Sequence, residues 1–454
     1  MVSKFIIMRL SYFILLFSIT FSFERGAIYS IEFLEYKDVD EIQSEIDEQI
    51  GGQGISINAE YNVFLYKIVY ETLNGYGDST LASGVIGIPE NIDNAFGIMS
   101  WQHGTVVQRN SVSSIEGFHL LSMILSSAGY VYVESDYLGL GVSEDFHPYC
   151  MDIPSANTVI DMIRAGRNFC NDSDAIQFNN QISLVGYSEG GYATLSAQKM
   201  MEQDYPDEFD ITISFPMAGP YDLSGTMVDL MLNGEPYGAP YYLPYILLAY
   251  IEYYELGELD EFFLAEYAEI LPILFDGYHS GGEIDEQLPN PPIQILLSEL
   301  IDEFETDSNH FLRNYLQGND LIDWAPESLT YLFHALADEL IPFENAQIAY
   351  DNFISNGSEN ITLVPIPESY GGHQEAAPFA LITAFQLGLQ LQQINPQGDV
   401  NSDEQIDISD VIIIVGYIMN FSELDSYLNW ASDMNSNSIL DILDIIELIN
   451  RIIN

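Results

Sequence analysis

Short apolar runs separated by helical patterns dominate the chain. Segments 61–72 and 81–89 read as strands on either side of the turn Asn74-Gly75-Tyr76-Gly77-Asp78. Further short apolar runs lie at 97–101, 130–134, 182–185, 211–215, 331–333 and 361–365. Helical patterns fall between them, for example at 118–128, 155–169 and 190–203. Strands alternating with helices predict an α/β class fold, a mostly parallel sheet with helices on both faces. One interval breaks the alternation. From 224 to 327 the chain is Tyr- and Leu-rich and helical without a clear strand, as at 241–256, 258–275 and 292–304. An insertion placed before the last two strands predicts a helical cap over the functional edge of the sheet. Its tyrosines (Tyr241, Tyr242, Tyr245, Tyr250, Tyr253, Tyr254) are expected mostly to form the cap's own core, and as a group to border an apolar substrate pocket.

Composition narrows the partners. The 454 residues include 69 acidic against 11 Lys+Arg, for a net charge of −58. Nothing of that charge neutralises phosphates, so nucleic acid and anionic membrane surfaces are excluded as partners. The acids are spread through a chain with 30 Tyr and 25 Phe, which excludes a disordered acidic tail. Lys4 and Arg9 precede an apolar run at 12–23, and Thr20 and Ser22 are small. This is the pattern of a signal peptide over 1–22, cleaved after Ser22, and it predicts a secreted or cell-surface protein. A membrane anchor needs about 20 apolar residues, more than this run supplies, and no later stretch is long enough to span. Cys150 and Cys170 are the only cysteines. Export permits a disulfide, but the predicted helix between them separates its ends by about 20 Å, so closure requires the chain at Cys150 to fold back.

The sharpest chemical signal is Gly186-Tyr187-Ser188-Glu189-Gly190-Gly191, set directly between a predicted strand and a predicted helix. In G-x-S-x-G the glycines permit a tight strand–turn–helix that lifts a nucleophilic Ser188 above the sheet. Such a serine needs a general base and a carboxylate to orient it, in the chain order Ser, Asp or Glu, His. Of the downstream histidines His279, His310, His334 and His373, the first two fall in the cap interval. His373 follows Gly371-Gly372 in a loop after the last strand and is the expected base. Asp338 follows the preceding strand and is the expected orienting acid, ahead of Glu339. The helix behind Ser188 aims N–H groups at a developing oxyanion. The expected donors are the N–H of Glu189 and that of Gly104 or Thr105, at the end of an early strand.

His103-Gly104-Thr105, Ser135-Asp136-Tyr137-Leu138-Gly139-Leu140-Gly141, His147-Pro148-Tyr149, the elbow at Ser188, Trp324-Ala325-Pro326, Asp338 and Gly371-Gly372-His373 occur in that order. In this, residues 55–393 resemble secretory-lipase-like α/β hydrolases. The resemblance implies an α/β-hydrolase domain over 23–393 with the cap at 224–327. It also implies hydrolysis of carboxylic esters, acylglycerols included, through an acyl-enzyme on Ser188 and without a catalytic cofactor.

After a linker at 394–398 the composition changes. Asp399, Asn401, Asp403, Asp407 and Asp410 stand at positions 1, 3, 5, 9 and 12 of a twelve-residue loop. Asp433, Asn435, Asn437, Asp441 and Asp444 repeat the pattern 34 residues later. Calcium takes several hard oxygens from one loop, with the main-chain carbonyl of Gln405 or Ile439 at position 7. Apolar Ile406 and Leu440 at position 8 are placed to hold the loops together, and each loop runs into an apolar helix, 408–419 and 442–453. The pair over 399–454 resembles a type I dockerin, which implies structural calcium and a cohesin partner on a scaffold or surface protein. Position 6, usually glycine, is Glu404 and Ser438, so backbone strain is expected there. The leading reading is a secreted serine esterase or lipase displayed through a dockerin. A peptidase or a plant-wall acyl esterase with the same triad, and a non-catalytic binding module, are the alternatives.

Overall fold

The computed structural model describes residues 23–51, 56–173, 175–420 and 424–453; the expected signal peptide lies outside them. Its strands are β1 (Ile28–Lys37), β2 (Val63–Leu73), β3 (Ser79–Pro89), β4 (Asn94–Gln102), β5 (Val131–Ser135), β6 (Gln177–Tyr187), β7 (Ile211–Met217), β8 (Thr330–Ala335), β9 (Ile361–Ile366) and β10 (Ile394–Pro396). Among the described residues they form one sheet in the order β1-β2-β3-β5-β4-β6-β7-β8-β9, with β10 beside β4. Strands β5, β4, β6, β7, β8 and β9 run parallel, while β1, β2 and β3 pair antiparallel.

The parallel strands are buried on both faces, which is why they read as near-continuous apolar runs. On one face lie α1 (Val39–Ile50), α2 (Ser113–Glu116), α3 (Leu120–Ser127) and, from the C-terminal part, α13 (His373–Leu391). Helix α1 starts at an Asp38 cap that accepts the Glu41 N–H and buries Ile42, Ile46 and Ile50 at four-residue spacing. On the other face lie α4 (Asp152–Asp172) and α5 (Glu189–Asp204), which bury Val159, Ile163, Ala193 and Ala197 with Val133 and Leu184. Helix α12 (Glu344–Ser355) joins β8 to β9.

Between β7 and β8 come α6 (Val228–Leu232), α7 (Tyr242–Tyr253), α8 (Ala265–Leu274), α9 (Gly281–Asp285), α10 (Ser298–Thr306) and α11 (Phe311–Gly318). Segment 258–275 is not one helix. A single turn at Leu259–Glu261 leads to a bridge between Phe263 and Leu296 before α8 begins. Tyr250 is wholly buried and Tyr242, Tyr245 and Tyr253 nearly so, in a core shared with Leu271, Ile284 and Leu321. The free thiols of Cys150 and Cys170 sit in separate cores, so no bridge joins them. No helix among the described residues is long and apolar enough to cross a membrane.

The C-terminal residues form α14 (Ile408–Asn420), α15 (Ser426–Ser432) and α16 (Ile442–Ile453) around a small core of Val400, Val411, Ile414, Tyr427, Ala431 and Leu448. Ile406 and Leu440 pack against it. Glu404 and Ser438 adopt φ of 65° and 60°, the left-handed strain expected where glycine is missing.

Candidate active site

Four strand ends converge above the sheet. Ser188 follows β6, Gly104 follows β4, Asp338 follows β8 and His373 follows β9, all at carboxyl ends, where open α/β sheets place ligands. Ser188 has φ 64° and ψ −124° at the start of α5, a strained turn that points its Oγ outward. Gly190 lets the elbow press on the β4 loop: a Cβ there would lie 1.9 Å from the Gln102 carbonyl oxygen. Gly104 lies against Ser188 too, where a Cβ would come 3.6 Å from the serine Cβ.

His373 Nε2 is 2.9 Å from Ser188 Oγ, and His373 Nδ1 is 2.7 Å from Asp338 Oδ2. Because a carboxylate accepts, Nδ1 carries a proton and Nε2 is left to receive one from the serine. Asp338 Oδ1 also accepts the N–H groups of Leu340 and Ile341. Burial by itself would raise the Asp338 pKa. Hydrogen bonds from His334 and His373, and their charge, outweigh it and hold the carboxyl well below its usual range.

His373 does not lie in a loop, as the sequence led one to expect: it is the first residue of α13. The preceding Gly371-Gly372 and Pro378 inside the helix hid that start from a pattern reading. Glu339 takes a different place from Asp338, accepting the backbone N–H of His373 at 3.0 Å. His334 donates from Nε2 to the Ile341 carbonyl at 2.7 Å and lies 3.3 Å from Asp338, a contact that no periodicity signals. His279 pairs with Asp276 on the cap surface, and His310 packs between Phe304 and Phe311. The Glu189 N–H opens α5, where the first N–H groups of a helix have no intrahelical partner.

An apolar cavity of about 110 Å³ lies in the cap, bordered by Leu223, Met231, Leu243, Leu247, Leu300 and Phe304. Tyr149 and Ile341 also line it, and both touch the site: Tyr149 reaches Thr105, and the Ile341 N–H binds Asp338. Ser188 and His373 are nearly buried, with 7% and 1% of their exposure left.

In the first C-terminal loop Asp399 and Asp410 are buried, and in the second Asp444. Their carboxylates accept N–H groups of their own loops, and among the described residues no three acidic, His or Cys side chains converge as a ready metal cage. Asn435 Oδ1, at position 3 of the second loop, is buried without a hydrogen-bond partner. Buried like-sign carboxylates and an orphaned amide oxygen are a donor set that fits a hard cation.

A secretory lipase family model matches residues 107–224, and a type I dockerin domain model matches residues 397–453. No curated protein matches the chain. Among solved structures, the rice cell wall degrading esterase LipA of Xanthomonas oryzae is 27% identical with a TM-score of 0.70, covering 80% of this chain and 96% of that one. A hydrolase of Legionella pneumophila is 29% identical at TM-score 0.72, covering 80% of this chain and 98% of its own. Candida antarctica lipase A in its closed state shares the fold at 17% identity and TM-score 0.58, over 81% of this chain and 82% of its own. The chain is an α/β-hydrolase-fold carboxylic ester hydrolase that carries a type I dockerin domain.

Proposed function

We propose that the chain is a secreted serine hydrolase that cleaves lipid-like esters through Ser188, His373 and Asp338 and is tethered to a cohesin by its dockerin. The observation that carries this reading is the continuous hydrogen-bonded line from Ser188 Oγ through His373 to Asp338. Ser188 Oγ attacks the ester carbonyl carbon while its proton passes to His373 Nε2. The carbon–oxygen bond to the alcohol then breaks, and His373 returns the proton to the departing alkoxide. Water repeats the two steps and frees the acid. Asp338 keeps His373 in the required tautomer and stabilises its cation. The N–H groups of Glu189 and of Gly104 or Thr105 hold the oxyanion. The cap cavity takes the acyl chain.

Asp399, Asn401, Asp403, Asp407, Asp410 and the Gln405 carbonyl would hold calcium in the first loop, and Asp433, Asn435, Asn437, Asp441, Asp444 and the Ile439 carbonyl in the second. Calcium would supply the positive charge that offsets the buried carboxylates and would order the loops. Ile408, Ile412, Val415 and Met419 form an exposed apolar stripe on α14, which is the surface offered to the cohesin. The likeness to a cell wall degrading esterase supports a second reading, hydrolysis of plant-wall acyl esters by the same triad.

The test is hydrolysis of p-nitrophenyl esters of rising chain length by the chain and by Ser188→Ala, with plant-wall material in parallel and binding to immobilised type I cohesin with and without chelator. Rates that rise with chain length and vanish in Ser188→Ala are expected. Equal rates in the two proteins end the serine reading, release of acids from wall material alone moves the substrate to the wall, and chelator-insensitive cohesin binding removes the role of calcium.

A further inference from the structure

The segment His147-Pro148-Tyr149 belongs to no part of the triad, yet it touches both halves of the proposed oxyanion hole. His147 Nδ1 lies 2.8 Å from the Leu138 carbonyl, which can only accept, so Nδ1 carries hydrogen. Nε2 lies 2.5 Å from Glu189 Oε1. With Nδ1 committed to Leu138, Nε2 is the ring atom that bonds the Glu189 carboxyl. The Glu189 side chain is thus clamped beside its own N–H. Its other oxygen, Oε2, is buried without a partner, so His147 is the one side chain holding it among the described residues.

Two residues on, the Tyr149 hydroxyl shares a hydrogen bond of 3.1 Å with Thr105 Oγ1. The β4 loop is gripped at two further points: Tyr137 donates to the His103 carbonyl at 3.0 Å, and Tyr245 of α7 donates to the Val106 carbonyl at 3.2 Å. Burial pushes the phenols of Tyr137, Tyr149 and Tyr245 well above their ordinary range, so all three remain protonated. Tyr245 stacks on Tyr149 with ring centroids 4.6 Å apart at 15°, and its ring lies 5.6 Å from His147. From the same helix the Tyr253 hydroxyl donates to the Phe146 carbonyl.

We infer that His147 and Tyr149 are positioning residues that set both oxyanion donors at once, His147 through Glu189 and Tyr149 through Thr105, braced against α7 of the cap. The inference rests on the proposed serine reading. One short segment then links the position of the cap helix to the geometry of the oxyanion hole. The Tyr149 ring also lines the cap cavity, but the brace acts through its hydroxyl on Thr105, which Tyr149→Phe removes while keeping the ring. The effect of both residues is on the step in which charge develops on the carbonyl oxygen, so it belongs to kcat and not to KM.

The test measures kcat and KM on a p-nitrophenyl ester, with thermal midpoints, for the chain, Tyr149→Phe, Glu189→Ala, Glu189→Gln and Ser188→Ala. Glu189→Ala keeps the backbone N–H and loses only its anchor, whereas Glu189→Gln can still bond His147. Losing the donor itself costs an enzyme of this kind about 100–1000-fold in kcat, so loss of its positioning should cost at least about fivefold. The expected result is a kcat loss of that size in folded Tyr149→Phe and Glu189→Ala, with KM little changed and Glu189→Gln recovering most of it. Tyr149→Phe removes one oxygen and should fold even if Glu189→Ala does not. A Tyr149→Phe variant with a smaller kcat loss, or with its loss confined to KM, overturns the brace. Full activity in Ser188→Ala would instead mean that the serine reading itself had failed.

Discussion

Asp338 keeps a negative charge although its side chain is wholly excluded from solvent, because His334, His373 and two backbone N–H groups surround it. Its carboxyl is held below the ordinary value of about 3.9, so ionisation of Asp338 favours the folded state. That contribution is fully present above about pH 4 and is lost as the pH falls from there toward the folded value. Asp338→Asn should flatten the acid side of the stability profile: between about pH 4 and pH 2 its thermal midpoint should fall less steeply than that of the parent. The same variant should lose about 10⁴-fold in kcat at neutral pH, since an amide cannot fix the tautomer of His373. Parallel slopes in the two melting series would remove the stability argument, and near-parental kcat would remove the orienting role. At this scale the chain order placed Ser188, Asp338 and His373 in consideration, and the strand ends bring the three within hydrogen-bonding distance. His334 and Glu339 could not be read this way. Their contacts depend on how the turn after β8 folds back on itself, and an isolated acid or histidine carries no periodic signal.

Elements were legible where they were buried and regular. The central strands stood out as apolar runs but extend beyond them: Asn179 and Asn180 carry β6 back to Gln177, and Ala95 and Phe96 belong to β4 ahead of its run. Strand β1 escaped notice because it is a sheet edge, with Tyr29, Ile31 and Phe33 left exposed. Helix α13 escaped because it is apolar around most of its circumference and interrupted by Pro378. The cap was recognisable as a unit, but its cavity was not, since the residues that line a space and those that fill one are the same leucines, methionines and tyrosines. Met231 makes the cavity testable. It is half-buried on α6 and borders the space without belonging to the tightest core. Met231→Trp adds a bulky ring where the acyl tail is proposed to lie. Hydrolysis of long-chain p-nitrophenyl esters should fall about tenfold while acetate and butyrate esters are cleaved at near-parental rates, since each lost methylene contact is worth about 0.8 kcal/mol. An equal effect on all chain lengths would place the acyl chain elsewhere.

For the whole molecule the decisive feature is the junction between hydrolase and dockerin. Residues 394–398 read as a linker on composition, but Ile394–Pro396 form β10, paired antiparallel with the start of β4. A proline and an amide among three residues conceal a strand this short from any pattern. Ala95 of β4 enters the same small core as Val400, Val411 and Ile414, so the dockerin packs on the end of the sheet opposite the triad. Asn179 of β6 donates to Asn395 Oδ1 at 2.9 Å, and Asn395 Nδ2 donates to Asp399 Oδ2 at 2.9 Å. Position 1 of the first loop is therefore tied through one amide to the hydrolase sheet. Ordering of that loop by the proposed calcium would report to both units, because a ligand stabilises whatever unfolds with its site, by about 2.7 kcal/mol at a hundredfold excess over its dissociation constant. Differential scanning calorimetry of the full chain should show the main transition moving up by a few degrees with calcium and down with chelator. Asn395→Ala should leave the main transition nearly insensitive to calcium while a smaller transition still responds through the second loop. If the parent chain already melts in two steps and calcium moves only the smaller, the junction transmits nothing, and the dockerin is a passenger on the hydrolase rather than part of its fold.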